Sequence, residues 1–491
     1  MHLRRIDWMP AAIAAAALPL TAALIGLVAC SSVPLGVEGD WVWRRLAEPE
    51  PTLWAALLAT LAAGGAAAAL GDRLTGAHRA LAVALLFGCG FFADGLILDG
   101  GGRAGLAENA LAPLDAFTTG YLQPALENPY HPGEAAAQVR NLLAVPPGER
   151  PAHRHVHPPA NWLLADAALR WFPGAGHRLL PETGRTVDDL QLWAYGTPPA
   201  DTPEAADAAL KLVWLFWAAL EIGKILIAAA ILLTRPRRPG LALLPAVFGG
   251  GSALLFLGHF DTLYFGITAA ALAAFVAGVR YRRAAGTAAA GLLLGGGAFF
   301  SLGFGAPIAA GGLALAAGCR RGRWRLFLGL LAGLAAAGLA GWLVFRLPPW
   351  EIALSCWRNH LIFNKMSGRS LLPWLPWQFL DALLFCGPLA TLMALAAPAE
   401  RVRPLAIGLT AILLAWLYLL FGGAAVGECG RLAALYLPLP IFAAGVLGGR
   451  CRVFARPLPR LLFALAAMAA MVLTAVLRSR LALVIVDWGN L

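Results

Sequence analysis

The sequence predicts an all-α, polytopic helical membrane protein, and three observations carry that prediction. Hydrophobic residues make up 59% of the chain and charged residues only 13%, with a mean hydropathy of +0.70. Apolar runs of roughly 18 or more residues recur from one end to the other, each long enough to cross ~30 Å of hydrocarbon as a helix. The arginines fall in short segments between those runs. Inside a bilayer no water pairs with the backbone, so the runs must satisfy their own hydrogen bonds as helices. A β-barrel would instead show short segments of alternating polarity.

About 13 spans follow from a requirement of ~20 residues each. They lie near 9–31, 53–71, 78–98, 209–233, 241–257, 262–279, 284–300, 302–318, 326–346, 374–397, 404–422, 432–447 and 460–477. The stretch 284–318 reads either as two short spans or as a helix and a re-entrant segment. With this count the segments 'MHLRRID', 'GDRLTGAHR', 'TRPRRPG', 'VRYRR', 'CRRGRWR', 'ERVRP' and 'GGRCRVFARPLPR' all fall on one side. The positive-inside rule makes that side the cytoplasm, with the amino terminus inside and the carboxyl terminus outside. The expectation is a multi-pass protein of a bacterial inner membrane, a single integral domain over 1–491.

The net charge of +11 belongs to these turns, so it does not call for a nucleic-acid partner. The seven cysteines are scattered singly and read as small core residues. 'LVAC', ending at Cys30, reads as part of an uncleaved first span or as a lipoprotein cleavage box. The glycine runs at 249–251 and 295–297 lie inside spans, where they favour close helix packing. No GxxxxGK[ST], HExxH, paired CxxC or GxSxG is present, so the motif-borne forms of phosphate-loop, zinc and serine-nucleophile chemistry are not supported.

Polar residues beside membrane spans are costly and point to function, and in this chain they collect on the outer side. The loop 'PLGVEGDWVWRRL' carries Glu38 and Asp40 directly after the first span. A carboxylate there acts as a general base if burial raises its pKa, or else it sits in a solvated turn with interfacial tryptophans. The large segment 99–208 contains short helix-like stretches around Trp162, Trp171 and Trp193 and packs on the outer surface. Its 'AHRHVHPPANWLL' places His153, His155 and His157 on one face of an extended strand, followed by prolines suited to a helix start. That spacing permits a metal site, but no further ligand is adjacent. The preferred reading leaves His157 at the threshold of an interfacial helix, facing a cavity.

'GHFDTLYFG' puts His259 and Asp261 at the mouth of a span, either to bind substrate or to cap the helix, with Asp261 as its N-cap. 'GGAAVGECGRLAALYLP' places Glu428 and Arg431 on one helix face. An Arg at a helix N-terminus opposes the macrodipole, so either Glu428 or an anionic ligand must compensate it. The loop 347–373 carries Arg358, His360, Lys365 and Arg369 among aromatics. It suits a lipid phosphate or an interfacial amphipathic segment. Glu221 and Lys224 sit mid-span, three residues apart, as a neutralising pair or a proton relay.

Taken together, the early outer-loop acids, 'HPP' opening an outer helix, 'GHFD' at a span mouth and 'GExxR' opening a late span resemble the GT-C superfamily. These are polytopic glycosyltransferases that use polyprenyl-phosphate-linked sugars, including protein O-mannosyltransferases and aminoarabinose transferases. The resemblance implies an extracytoplasmic active site and inverting transfer of a hexosyl or pentosyl group. The expected partners are the lipid-linked donor, the bilayer and an acceptor that is a lipid, glycan or protein. It implies Asp40 as the base, with Glu38 second and Asp115 a further alternative in the long loop. Arg431 would hold the donor phosphate, with Arg358 and Lys365 behind it, while His157, His259, Asp261 and Glu428 line the site. A divalent cation is compatible with the sequence but not required by it. A transporter or lipid-carrier flippase, or a surface-polysaccharide polymerase or ligase, are the alternative expectations.

Overall fold

A computed structural model describes residues 8–29, 36–37, 41–42, 51–99, 109–110, 112–114, 121–146, 153–181, 203–317, 324–366, 371–399, 403–421 and 429–480. Among these the protein is helical apart from one two-stranded hairpin. Helix α1 (Met9–Ala29) precedes strands β1 (Gly36–Val37) and β2 (Trp41–Val42), which pair antiparallel with Gly36 opposite Val42 and Val37 opposite Trp41. Helices α2 (Pro51–Arg73) and α3 (Gly76–Asp99) then form a tight pair. The two-residue turn between them leads into Gly76, the first residue of α3, whose φ of +55° suits a residue without a Cβ.

The large segment contributes α4 (Leu122–Glu127), α5 (Ala135–Leu143), α6 (His153–Val156), α7 (Ala160–Arg170) and α8 (Ala175–Leu179). The chain returns through α9 (Pro203–Leu233), α10 (Pro239–Phe248), α11 (Gly251–Leu255) and α12 (Phe260–Tyr281). Next come α13 (Ala284–Gly297), α14 (Gly305–Ala317), α15 (Trp324–Phe345), α16 (Pro349–Met366), α17 (Leu371–Cys386) and α18 (Pro388–Met393). The final helices are α19 (Arg403–Phe421), α20 (Cys429–Tyr436), α21 (Pro438–Arg450) and α22 (Pro457–Arg480).

Eight stretches among the described residues are long and apolar enough to cross a membrane: Met9–Ala29, Trp54–Arg73, Gly76–Leu98, Pro203–Leu233, Phe260–Tyr281, Trp324–Phe345, Ala433–Arg450 and Pro457–Arg480. A ninth, Trp374–Cys386 with Pro388–Ala396, is bent by 114°. The bend falls at Gly387 (φ +78°), followed by a proline that cannot continue the hydrogen-bond ladder. Three of the other four expected spans are shorter or broken apolar helices, Pro239–Leu255, Ala284–Gly297 and Leu302–Ala317, and the fourth falls on the 19-residue α19. The span expected over 241–257 breaks between α10 and α11 at its glycines. The stretch 284–318 resolves into two short helices, α13 and α14, of 14 and 13 residues. The structure therefore shows a helical architecture consistent with a membrane protein, with eight to nine full-length candidate spans among the described residues.

Small residues bring the helices together, as expected where lipid supplies no hydrophobic drive for association. A Cβ on Gly291 would strike the Leu330 carbonyl oxygen, and one on Gly333 the Ala288 carbonyl oxygen, so α13 and α15 meet backbone to backbone. Gly240, Gly445 and Gly449 play the same part where α10 lies against α2 and α21.

Several arginine-rich turns converge physically. Asp72 at the end of α2 accepts from the amides of Gly240 (2.7 Å) and Leu241 (3.4 Å) and from Arg460 Nη2 (2.8 Å). The amides of Arg237 and Arg238 donate to Gly449 O at 2.9 and 3.2 Å. The turns after α2, before α10 and between α21 and α22 thus form one end of the bundle, the arginine end. Four of the segments that the charge bias groups on one side belong to it, since Arg280 and Arg282 line a common cavity with Arg235 and Arg450.

Candidate functional site

The opposite end of the bundle carries His259 and Asp261, two of the polar residues singled out by sequence. Helix α12 starts there, about 30 Å along its axis from Arg280 at 1.5 Å per residue. His259 is its N-cap residue, with φ −98° and ψ 150° and no side-chain capping bond. Asp261 sits inside the first turn, not at the cap that the sequence suggests for it, and there its charge complements the helix dipole. Both side chains are buried. Thr262 Oγ1 donates to Ala253 O (2.9 Å) and Phe256 O (2.8 Å), fixing the turn between α11 and α12, and the Phe256 ring packs edge-on to His259.

Helix α20, whose third residue is Arg431, lies against α12, α17 and α11. Its far end is pinned where Tyr436 Oη donates to Gly303 O at 2.9 Å. Helix α17 carries Gln378 and Asp381, one turn apart and both buried, and strand β1 packs against it. The Gln378 amide has no hydrogen-bond partner among the described residues. Arg478, also buried, lies in the last turn of α22, roughly 27 Å along that helix from Arg460 and the arginine end. Sequence reasoning missed Gln378, Asp381 and Arg478. Its available signal was 'WQFLDALLF', two polar residues at helical spacing inside an apolar run.

Glu38, Asp40, Asp115, Glu428 and Cys30 lie outside the described residues, as do Trp193 and Arg369, and the side chain of Arg431 does too. Strand β1, just before Glu38, rests on α17, and α20 rests on both α17 and α12.

The large segment is docked over this end. The Ala160 amide donates to Phe299 O (3.0 Å), while Asn161 and the Tyr264 hydroxyl exchange hydrogen bonds at 2.8 and 3.0 Å. Trp162 is 1% exposed, and Tyr121 packs edge-on to Phe260 at 5.1 Å. Asp207, near the start of α9, accepts from the amides of Gly174 (3.0 Å) and His177 (3.2 Å) and pairs with Lys211 (2.8 Å).

The histidine stretch departs from its sequence reading. Residues 153–156 form the short helix α6, so the three histidines do not share one face of a strand. His155 is buried, and its carbonyl accepts from Asn359 Nδ2 at 2.8 Å. His157 is half-buried at the bend before Pro159, which serves as the N-cap of α7. No group of three His, Cys, Asp or Glu side chains suited to a metal occurs among the described residues.

Arg358 and Lys365 lie apart from the cluster. The basic segment expected as a loop is the 18-residue helix α16, which packs on α6 and α15 and exposes Trp350, Leu354, Trp357 and Leu361. That exposed apolar stripe gives the segment an amphipathic character. Arg358 lines a cavity of about 260 Å³ together with Arg140, Glu351 and Asn359, whereas exposed Lys365 does not reach it. Arg140 pairs with Glu351 at 2.9 Å, and this carboxylate holds the guanidinium above its ordinary range. Burial pushes the Cys356 thiol up to about 12, so it stays protonated at neutral pH and is a poor nucleophile.

A second polar cluster lies within the bundle. Lys224 pairs with Asp94 of α3 and lies 3.6 Å from Glu221, with side-chain exposures of 2%, 0% and 19% respectively. The sequence pair is therefore a triad. It abuts the break between α10 and α11, since a Cβ on Gly250 would stand 2.8 Å from Lys224 Cε.

Compared with protein-family models, with curated proteins and with solved structures, the chain matches none.

Proposed function

We propose that the chain is a membrane glycosyltransferase. It moves a sugar from a polyprenyl-phosphate-linked donor to an acceptor at the end of the bundle opposite the arginine turns, taken as the extracytoplasmic side. The observation that carries this reading is the convergence of four elements there. These are the start of α12 with His259 and Asp261, helix α20 with Arg431, helix α17 with Gln378 and Asp381, and the hairpin flanking Glu38 and Asp40.

In this reading Asp40, or Glu38 in second place, removes the proton from the acceptor hydroxyl. The acceptor oxygen forms its bond to the anomeric carbon as the bond from that carbon to the phosphate oxygen breaks, and polyprenyl phosphate leaves with the electron pair. Attack from the face opposite the leaving group inverts the anomeric centre. A phosphate is already a good leaving group, so the protein needs mainly a base, positioning and a cation for the developing charge. Arg431 is assigned that cation, with Arg358 and Lys365 assigned to steering the donor headgroup at the membrane surface. His157 and His259 line the approach.

The test is sugar transfer from a panel of radiolabelled polyprenyl-phosphate hexoses and pentoses in membranes containing the chain. Asp40→Asn and Arg431→Ala are each expected to reduce incorporation at least 100-fold, a general acid–base contribution being about 10²–10⁴-fold, at unchanged protein level. Full activity in both variants would sink the assignment. A transporter remains the second reading because of one observation, the ion triad beside a broken helix, an arrangement that transporters use to bind coupling ions.

A further inference from the structure

At the arginine end, helices α12, α13, α14, α19 and α21 enclose a cavity of about 500 Å³. Its wall is apolar, with Leu272, Phe275, Ala310 and Phe442 contributing, and its mouth is rimmed by Arg235, Arg280, Arg282 and Arg450. Arg450 Nη1 donates to Thr234 O at 2.6 Å. The side chains of Arg235, Arg280 and Arg282 are exposed, and none pairs with an acid among the described residues. Arg235 and Arg282 hold φ values of 55° and 56°, the left-handed conformation in which glycine is unstrained. Two long cations thus stand at helix ends where the backbone alone would favour a residue with no side chain.

The dimensions match one leaflet. From the rim at Arg280 the wall runs up α12 to Thr268, roughly 18 Å at 1.5 Å per residue, close to half of the ~30 Å hydrocarbon thickness. An apolar slot one leaflet deep with cations at its mouth is complementary to a lipid with an anionic head. We propose that this groove binds one anionic glycerophospholipid, its phosphate at the four arginines and its acyl chains along Leu272, Phe275 and Phe442. The site is independent of the transferase reading, since it lies at the other end of the bundle.

The experiment is native mass spectrometry of the full chain in mild detergent, titrated with phosphatidylglycerol or phosphatidylcholine. One phosphatidylglycerol is expected to bind at least 10-fold more tightly than phosphatidylcholine. Arg280→Ala/Arg282→Ala should remove that preference. Gly408→Phe, which grows into open space on the groove wall, should abolish the tightly bound lipid. Because both arginines are surface side chains, the double variant keeps the test valid if the groove-filling one does not fold. Equal binding of the two lipids, or unchanged binding in the arginine variant, overturns the proposal as annular lipid only. Complete displacement by millimolar inorganic phosphate, or tighter binding of polyprenyl phosphate than of phosphatidylglycerol, overturns the choice of occupant.

Discussion

Lys224 would be an expensive residue to leave alone in an apolar bundle, because an isolated buried ammonium forfeits its hydration with nothing in return. Asp94 supplies the missing partner from a different helix, and Glu221 adds a second carboxylate one turn away. Removing one partner of a buried pair costs about 3–5 kcal/mol, whereas replacing the pair with apolar groups is often neutral. Asp94→Leu is therefore expected to lower unfolding stability in detergent, by less than that amount because Glu221 still faces Lys224, and Asp94→Leu/Lys224→Met to recover only part of it because Glu221 then loses its cation. Equal stability of the single variant and the parent would show that the triad does not hold the helices. Retained sugar transfer in the double variant would also weigh against the transporter reading. In the sequence, Lys224 and Glu221 are visible as a pair because they share a helix face. Asp94 is not, because a lone acid in 'FFADGLI' carries no mark of a partner 130 positions away.

Helices pair here through their smallest residues, and the α13–α15 contact is the clearest case. Gly291 and Gly333 each face a carbonyl oxygen of the opposing helix. Gly333→Val is expected to cost about 1–3 kcal/mol, the usual penalty of overpacking, read as a lower thermal unfolding midpoint in detergent. Gly296→Val, on α13 but with nothing within 4 Å of its added carbon, should shift the midpoint far less. Similar shifts in both would mean that helix propensity dominates, not close approach. The elements were legible in proportion to their hydropathy. Long runs such as Pro203–Leu233 announce themselves, whereas α16 read as a loop because its polar and apolar residues interleave. The alternation of His153, His155 and His157 imitated a strand, but one turn of helix places residues two apart on different faces.

Across the whole molecule, Asp72 is the junction of three turns that are far apart in sequence. Its carboxylate serves two backbone amides of α10 and the guanidinium of Arg460. Hydrogen bonds to a charged group contribute about 1.5–3 kcal/mol each at most. Asp72→Ala is expected to destabilise by about that much and to expose the 74–76 turn to protease, with Asp72→Asn recovering part of the loss. Unchanged proteolysis in the alanine variant would show that packing alone holds the arginine end. The grouping of four of the seven arginine segments was legible because charge bias is a property of the sequence itself. The candidate site was legible only as fragments, 'GHFD' and 'GExxR'. The packing of α20 on α17 and α12 depends on helix contacts that no short motif encodes.

Helix α9 runs 31 residues, about 46 Å at 1.5 Å per residue, so roughly 16 Å of it extends past a ~30 Å hydrocarbon layer. Asp207 lies on that overhang and grips the segment at 174–177. The docked module is consequently tied to a helix continuous with the bundle, so its height above the hydrocarbon is set by the rise of α9 and not by a loop.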